Sequence, residues 1–203
     1  YLDFPAISRN EGIPWTADLI AEFKDDLDFP AISGIEGIPW TADLIRTYSV
    51  SDSFFWYRLS LNQGVPWTYE LIEEFRDKLY FKGESSHDLW EKTFGNNPAV
   101  RWDIPTLELV HNQVDWSQVC YRKDIEWSFE YLKKFADLLD WSRLCANESF
   151  PWDLRLMKRY AERVDLVGLC KNPSIVWNAP KIKWLLQQTR EKRAKSALLS
   201  LVA

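Results

Sequence analysis

The chain has 203 residues, a hydrophobic content of 46% that suffices for a sizeable core, and twelve tryptophans, far above ordinary usage. No apolar run approaches the roughly 20 residues of a membrane span and no signal-peptide pattern opens the chain, so a soluble protein is expected. The net charge of −5 hides an asymmetry: residues 1–113 carry 19 Asp/Glu against 9 Lys/Arg (−10), and residues 114–203 carry 11 against 16 (+5). The two halves should therefore attract different partners.

Along the chain one phrase recurs: an apolar residue, often a proline, then tryptophan and a helix-capping residue. It reads Ile13-Pro14-Trp15-Thr16, Ile38-Pro39-Trp40-Thr41, Val65-Pro66-Trp67-Thr68, Val100-Arg101-Trp102-Asp103, Ile125-Glu126-Trp127-Ser128, Phe150-Pro151-Trp152-Asp153 and Ile175-Val176-Trp177-Asn178. Successive tryptophans are 25, 27, 35, 25, 25 and 25 residues apart, a period that marks a stacked repeat architecture. The seven tryptophans are expected to be structural, with Trp67 and Trp127 buried and Trp184, one residue off the apolar face, less important.

Each repeat holds two helix starts. The first follows an apolar residue and an aspartate N-cap, at Leu2-Asp3, Leu27-Asp28, Val114-Asp115, Leu139-Asp140 and Val164-Asp165. The apolar residue is placed to staple onto Ile7, Ile32, Val119, Leu144 or Leu169. Asn10, Asn62, Asn97, Asn147 and Asn172 are expected to end this short helix in the left-handed conformation, before turn residues such as Gly12, Gly37, Gly64 and Ser149.

The second helix starts after the anchor tryptophan, where Thr16, Thr41, Thr68, Asp103, Ser128, Asp153 and Asn178 are all good N-caps. Ile20, Ile45, Ile72, Leu107, Leu132, Met157 and Ile182 are the staple partners of the tryptophans. Phe23, Tyr48, Phe75, Val110, Phe135, Tyr160 and Leu185 follow on the same face, which predicts a helix of about three turns. Neither helix can bury its apolar face alone, and stacking supplies the partner.

The expected fold is therefore all-α: a single α-solenoid, 1–203, of seven stacked helical hairpins, each a short helix, a turn and a longer helix. The repeats are 1–26, 27–53, 54–78, 79–113, 114–138, 139–163 and 164–203. Residues 2–20 and 27–45 differ only at Arg9/Gly34 and Asn10/Ile35, the mark of a recent duplication. Extra residues near Ser51-Asp52-Ser53 lengthen one junction. The fourth repeat carries an insertion, 79–88, containing Gly83-Glu84-Ser85-Ser86-His87 ahead of Leu89-Trp90 and expected to form a surface loop. Lys181–Ala203 reads as a capping helix, with Ile182, Leu185, Leu198 and Leu199 apolar and Arg190, Lys192, Arg193 and Lys195 polar; a basic arm for an anionic partner is the alternative.

Cys120, Cys145 and Cys170 are spaced 25 apart, where earlier repeats have Ser8, Ser33 and Ser60. Helices stacked about 8–10 Å apart hold equivalent cysteines beyond the roughly 7 Å reach of a disulfide, and too far apart to share zinc. Buried free thiols in a reducing compartment such as the cytoplasm are expected.

The stretches Trp56-Tyr57-Arg58-Leu59-Ser60-Leu61-Asn62-Gln63-Gly64-Val65-Pro66-Trp67-Thr68 and Asp140-Trp141-Ser142-Arg143-Leu144-Cys145-Ala146-Asn147-Glu148-Ser149-Phe150-Pro151-Trp152-Asp153 resemble tandem tryptophan-containing helical repeats found in large proteins of bacteria and giant viruses. The chain departs from that pattern with Phe4 and Phe29 in place of the first tryptophan and with Leu166 in the last copy. The resemblance implies helical repeats and brings no activity with it.

His87 and His111 have no metal-binding motif beside them, and no phosphate loop, dinucleotide fingerprint or nucleophile elbow is present. No cofactor, no metal and no enzymatic activity are expected. The favoured function is a scaffold that binds another protein, or a structural subunit of a larger assembly; a nucleic-acid binder using the basic half is the alternative. Candidate partner-binding columns lie six and seven residues after the anchor tryptophans. They are acidic in the third and fourth repeats, at Glu73, Glu74 and Glu108, and basic in the fifth to seventh, at Lys133, Lys134, Lys158, Arg159 and Lys183.

Overall fold

The computed structural model describes residues 3–49, 53–81 and 93–202, and side chains up to residue 194. Leu2, Ser51, Asp52, most of the insertion with His87, Leu89, Trp90 and the side chains of Lys195, Leu198 and Leu199 lie outside the described residues. Among the described residues every regular element is a helix and none is a strand. The chain divides into two compact units, Tyr1–Asp115 and Trp116–Ala203.

The first unit holds α1 (Phe4–Ile7), α2 (Ala17–Glu22), α3 (Phe29–Ile32), α4 (Ala42–Tyr48), α5 (Ser53–Leu61), α6 (Tyr69–Phe75), a 3-10 turn (Phe94–Asn96) and α7 (Ile104–Val110). The second holds α8 (Trp116–Tyr121), α9 (Phe129–Phe135), α10 (Trp141–Ala146), α11 (Leu154–Arg159), α12 (Leu166–Lys171) and α13 (Ala179–Val202).

The caps follow the sequence closely. Thr16, Thr41, Thr68, Asp103 and Asp153 accept the backbone N–H three residues on, as does Asn178 from Lys181. Ser128 sits at the N-cap without that bond. Asp3, Asp28, Asp140 and Asp165 cap first helices in the same way.

The second helices are shorter than the three turns the apolar spacing predicts: α2, α4, α6, α7, α9 and α11 have six or seven residues, fewer than the nine of α5. A tight turn stops α2, α6, α7, α9 and α11. The carbonyl of Phe23, Phe75, Val110, Phe135 or Tyr160 accepts two backbone N–H groups, as Phe135 does from Leu138 at 2.8 Å and Leu139 at 3.1 Å. The chain thus swings into the next apolar residue, followed by an aspartate in every case but Leu79-Tyr80, instead of extending the helix.

Six anchor tryptophans, Trp15, Trp40, Trp67, Trp102, Trp127 and Trp152, are at most 6% exposed, and Ile20, Ile45, Ile72, Leu107, Leu132 and Met157 at most 1%. The last repeat breaks the register. There Trp177 is half-buried and Ile182 is 45% exposed, while Trp184 is 6% exposed and takes the inward place expected of Ile182. Phe23, expected inward, is also exposed.

Within each unit, first helices pack on first helices: α3 on α5, α8 on α10 and α10 on α12. In the first unit Ser8, Ser33 and Ser60 are buried, and in the second unit Cys120 and Cys145, at the same repeat position, are buried too. Cys170 does not; it is exposed, because among the described residues no further first helix covers α12.

Candidate docking surface

The asparagines expected to end the first helices in left-handed backbone do something else. Asn97, Asn147 and Asn172 have φ of −65°, −72° and −77°, an ordinary extended conformation. Their side chains reach into the preceding repeat. Asn62 Nδ2 donates to the Ser33 and Ile35 carbonyls, Asn97 to those of Ser60 and Asn62, Asn147 to Cys120 and Arg122, and Asn172 to Cys145 and Asn147, all between 2.7 and 3.1 Å. Each Oδ1 accepts the backbone N–H two residues on, as from Gly64, Ala99, Ser149 and Ser174. The clamp is buried at 2–5% exposure.

Three of these carbonyls also receive tryptophan, whereas Trp152 donates to the Leu144 carbonyl instead. Ile35 O takes Trp40 Nε1 at 3.2 Å, Asn62 O takes Trp67 at 3.1 Å and Arg122 O takes Trp127 at 3.3 Å. Both lone pairs of one backbone oxygen are thus occupied, one from its own repeat and one from the next. The sequence held a signal for this. Across the repeats the position is Asn10, Ile35, Asn62, Asn97, Arg122, Asn147 and Asn172, and never the glycine that a left-handed end most often selects.

Gly64 lies at a second close contact, where an added Cβ would fall 2.0 Å from the Glu36 carbonyl oxygen. At the equivalent place Ser149 Oγ donates to the Lys123 carbonyl at 3.0 Å, so a side chain is accepted there where the backbones stand further apart.

This inner scaffold leaves the columns on the second helices outside. Lys133 and Lys134 on α9, Lys158 and Arg159 on α11 and Lys183 on α13 are all exposed, and α11 packs against α13. Lys133 lies 3.7 Å from Glu130 on its own helix. The Arg159 guanidinium sits 4.9 Å from the Phe129 ring centroid, tying α11 to α9 by a cation–π contact. Other cations of this unit are turned to internal partners: Arg122 to Asp124, Lys123 to Glu148, Arg143 to Asp140 and Arg163 to Asp137.

The acidic column is less available. Glu73 and Glu108 are exposed, but Glu74 accepts a bidentate bond from Arg46 of α4, which also donates to Asp43 at 2.6 Å. The hydrogen bond from Arg46, with its charge, holds the Glu74 carboxyl below the usual carboxylate range. Glu108 lies on a polar groove of about 510 Å³ between α6 and α7, where His111 Nδ1 is 2.8 Å from the Glu108 carbonyl oxygen.

Among the described residues no group of histidine, cysteine and carboxylate side chains is placed to hold a metal, and no helix is long and apolar enough to cross a membrane. No disulfide joins the three cysteines, and burial pushes the Cys145 thiol up to about 12. No protein-family model, no curated protein and no solved structure matches the chain.

Proposed function

We propose that the chain is a non-enzymatic helical-repeat scaffold, an α-solenoid of seven hairpins of the tryptophan-repeat type, which docks an acidic protein surface along the second helices of its basic half. The observation that carries this reading is the column Lys133, Lys134, Lys158, Arg159 and Lys183, exposed on successive second helices of one unit. Aligned like charges steer an oppositely charged partner, and their pull weakens with salt. Three cysteines with no disulfide among them are in keeping with a reducing compartment.

The test is recovery of the partner from the native source, with and without nuclease, on wild type and on a variant with Lys133, Lys134, Lys158 and Arg159 all changed to glutamate. A protein partner retained after nuclease, released by salt and lost on the charge reversal is the expected result. Loss of the bound material on nuclease treatment assigns the column to a nucleic-acid backbone instead. Binding that survives both reversal and high salt removes the column from the docking surface.

A further inference from the structure

Arg58 of α5 is half-buried, and among the described residues its guanidinium makes neither an ion pair nor a hydrogen bond. It lies over the Phe54 ring, 5.6 Å from the centroid. The twin repeats before it put this in relief. In the first, Arg9 reaches Asp28 of the second at 3.9 Å. One repeat on, Gly34 replaces Arg9; counted from the buried serines Ser33 and Ser60, Arg58 stands where the second repeat has Ala31, and Phe55 where it has Asp28. The arginine now comes from the other side of the junction, and the carboxylate that served its counterpart is gone.

Gly34 faces the donor edge of this arginine. A Cβ added there would lie 2.5 Å from Nε, 2.6 Å from Nη2 and 2.9 Å from Cζ, nearly equidistant from the two nitrogens. That is the mouth of the guanidinium fork, the side from which a carboxylate engages both N–H groups. Any side chain at position 34 would plug it. The placement is fixed by the clamp, because Asn62, one turn after Arg58, donates to the Ser33 and Ile35 carbonyls on either side of Gly34.

Gly34 and Arg58 line a groove of about 250 Å³ together with Glu36, Phe54, Tyr57 and Leu61. Phe54 is 51% exposed and stacks on Tyr57, which meets Tyr80 edge-on at 5.0 Å. A guanidinium fork, an aromatic wall and one acceptor carboxylate complement a ligand carboxylate that is flanked by a ring and by an amide N–H.

We propose that this groove binds the C-terminal carboxylate of a partner protein whose last residue is aromatic, with the carboxylate on Nε and Nη2 of Arg58, the terminal ring against Phe54 and the terminal amide N–H toward Glu36. The site belongs to the first unit and shares no residue with the basic column, so either reading can fail without the other.

Titration of the 203-residue chain with N-acetyl-L-phenylalanine, which carries all three groups, tests it, read from the NMR signals of the Arg58 Nε–H and the Phe54 backbone N–H. A saturable shift is expected with the acid, and none at the same concentrations with its neutral twin, N-acetyl-L-phenylalaninamide. N-acetylglycine, which has the carboxylate and amide but no ring, should bind several-fold more weakly. Gly34→Ala, whose methyl enters the fork, and Arg58→Lys, which keeps the charge without the fork, should each weaken the acid roughly tenfold. The comparison of probes on the wild type needs neither variant to fold. Signals that do not move, an amide or a glycine probe that binds as the phenylalanine acid does, or full affinity in either folded variant overturns the proposal.

Discussion

A single buried asparagine side chain makes at least three hydrogen bonds in each clamped repeat, two of them to the backbone of its neighbour. Removing it strips one donor from each of two buried carbonyls, and each such loss costs on the order of 1 kcal/mol or more. Asn147→Ala is therefore expected to lower stability by about 2–3 kcal/mol in denaturant melts. Among the described residues the Asn10 side chain accepts from Gly12 and donates to no carbonyl of another repeat, so in this 203-residue chain Asn10→Ala should cost well under half as much. Equal losses at the two positions would contradict the clamp. The cysteines divide by the same logic of cover. Cys145, buried and with its thiol raised to about 12, holds almost no thiolate at neutral pH, and Cys120 is equally enclosed. A disulfide reagent should label Cys170 at once and the other two only as the chain unfolds; fast labelling of all three would place the serine–cysteine column outside the core.

At the scale of elements, the period and the caps were legible because each rests on local chemistry: a tryptophan, a capping oxygen and an apolar residue at fixed offsets. Helix length was not. The turn closed by the Phe135 or Tyr160 carbonyl uses backbone groups that every residue carries, so no side chain announces it. The register of α13 was lost for another reason. Ile182 and Trp184 are both apolar, and which one turns inward is decided by what lies beneath α13, which spacing alone does not report. Trp184→Ala should consequently cost about 3–5 kcal/mol, the usual range for a large buried side chain, and Trp177→Ala clearly less; the reverse order in thermal melts would restore the register read from the sequence. The basic column was legible because exposed positions on a capped helix follow from the cap, whereas the engagement of Glu74 by Arg46 joins two repeats and could not be read from either. That pair makes its own prediction. The folded Glu74 carboxyl is depressed, so its stabilisation is complete above the unfolded value and is lost as pH falls through the folded one. Glu74→Gln should abolish that part of the acid sensitivity, and an unchanged acid limb of the melting curve would show that the pair adds nothing.

At the scale of the whole molecule, the asparagine bonds that join successive repeats within each unit are largely independent of side-chain identity on the accepting side. Excising residues 139–163 should bring Asn172 to the Cys120 and Arg122 carbonyls that Asn147 now uses, and leave a cooperatively folded protein. Cutting only 139–150 destroys the register, and its melting should lose cooperativity. Comparable melts for the two would mean that the stacking is not periodic. The shared carbonyl, which takes a tryptophan from its own repeat and an asparagine from the next, carries a consequence for ancestry. Because the acceptor is main chain, an in-frame copy produced by unequal recombination meets a usable neighbour on its first day, with no compensating substitution required. The near-identical 2–20 and 27–45 are such a copy. Of its two differences, Ile35 opposite Asn10 has no side-chain donor for the repeat before it yet keeps the carbonyl that serves Trp40 and Asn62. Drift can erase a repeat's grip on the one before it without disturbing the handhold it offers to the one after, so such arrays can lengthen faster than their sequences diverge.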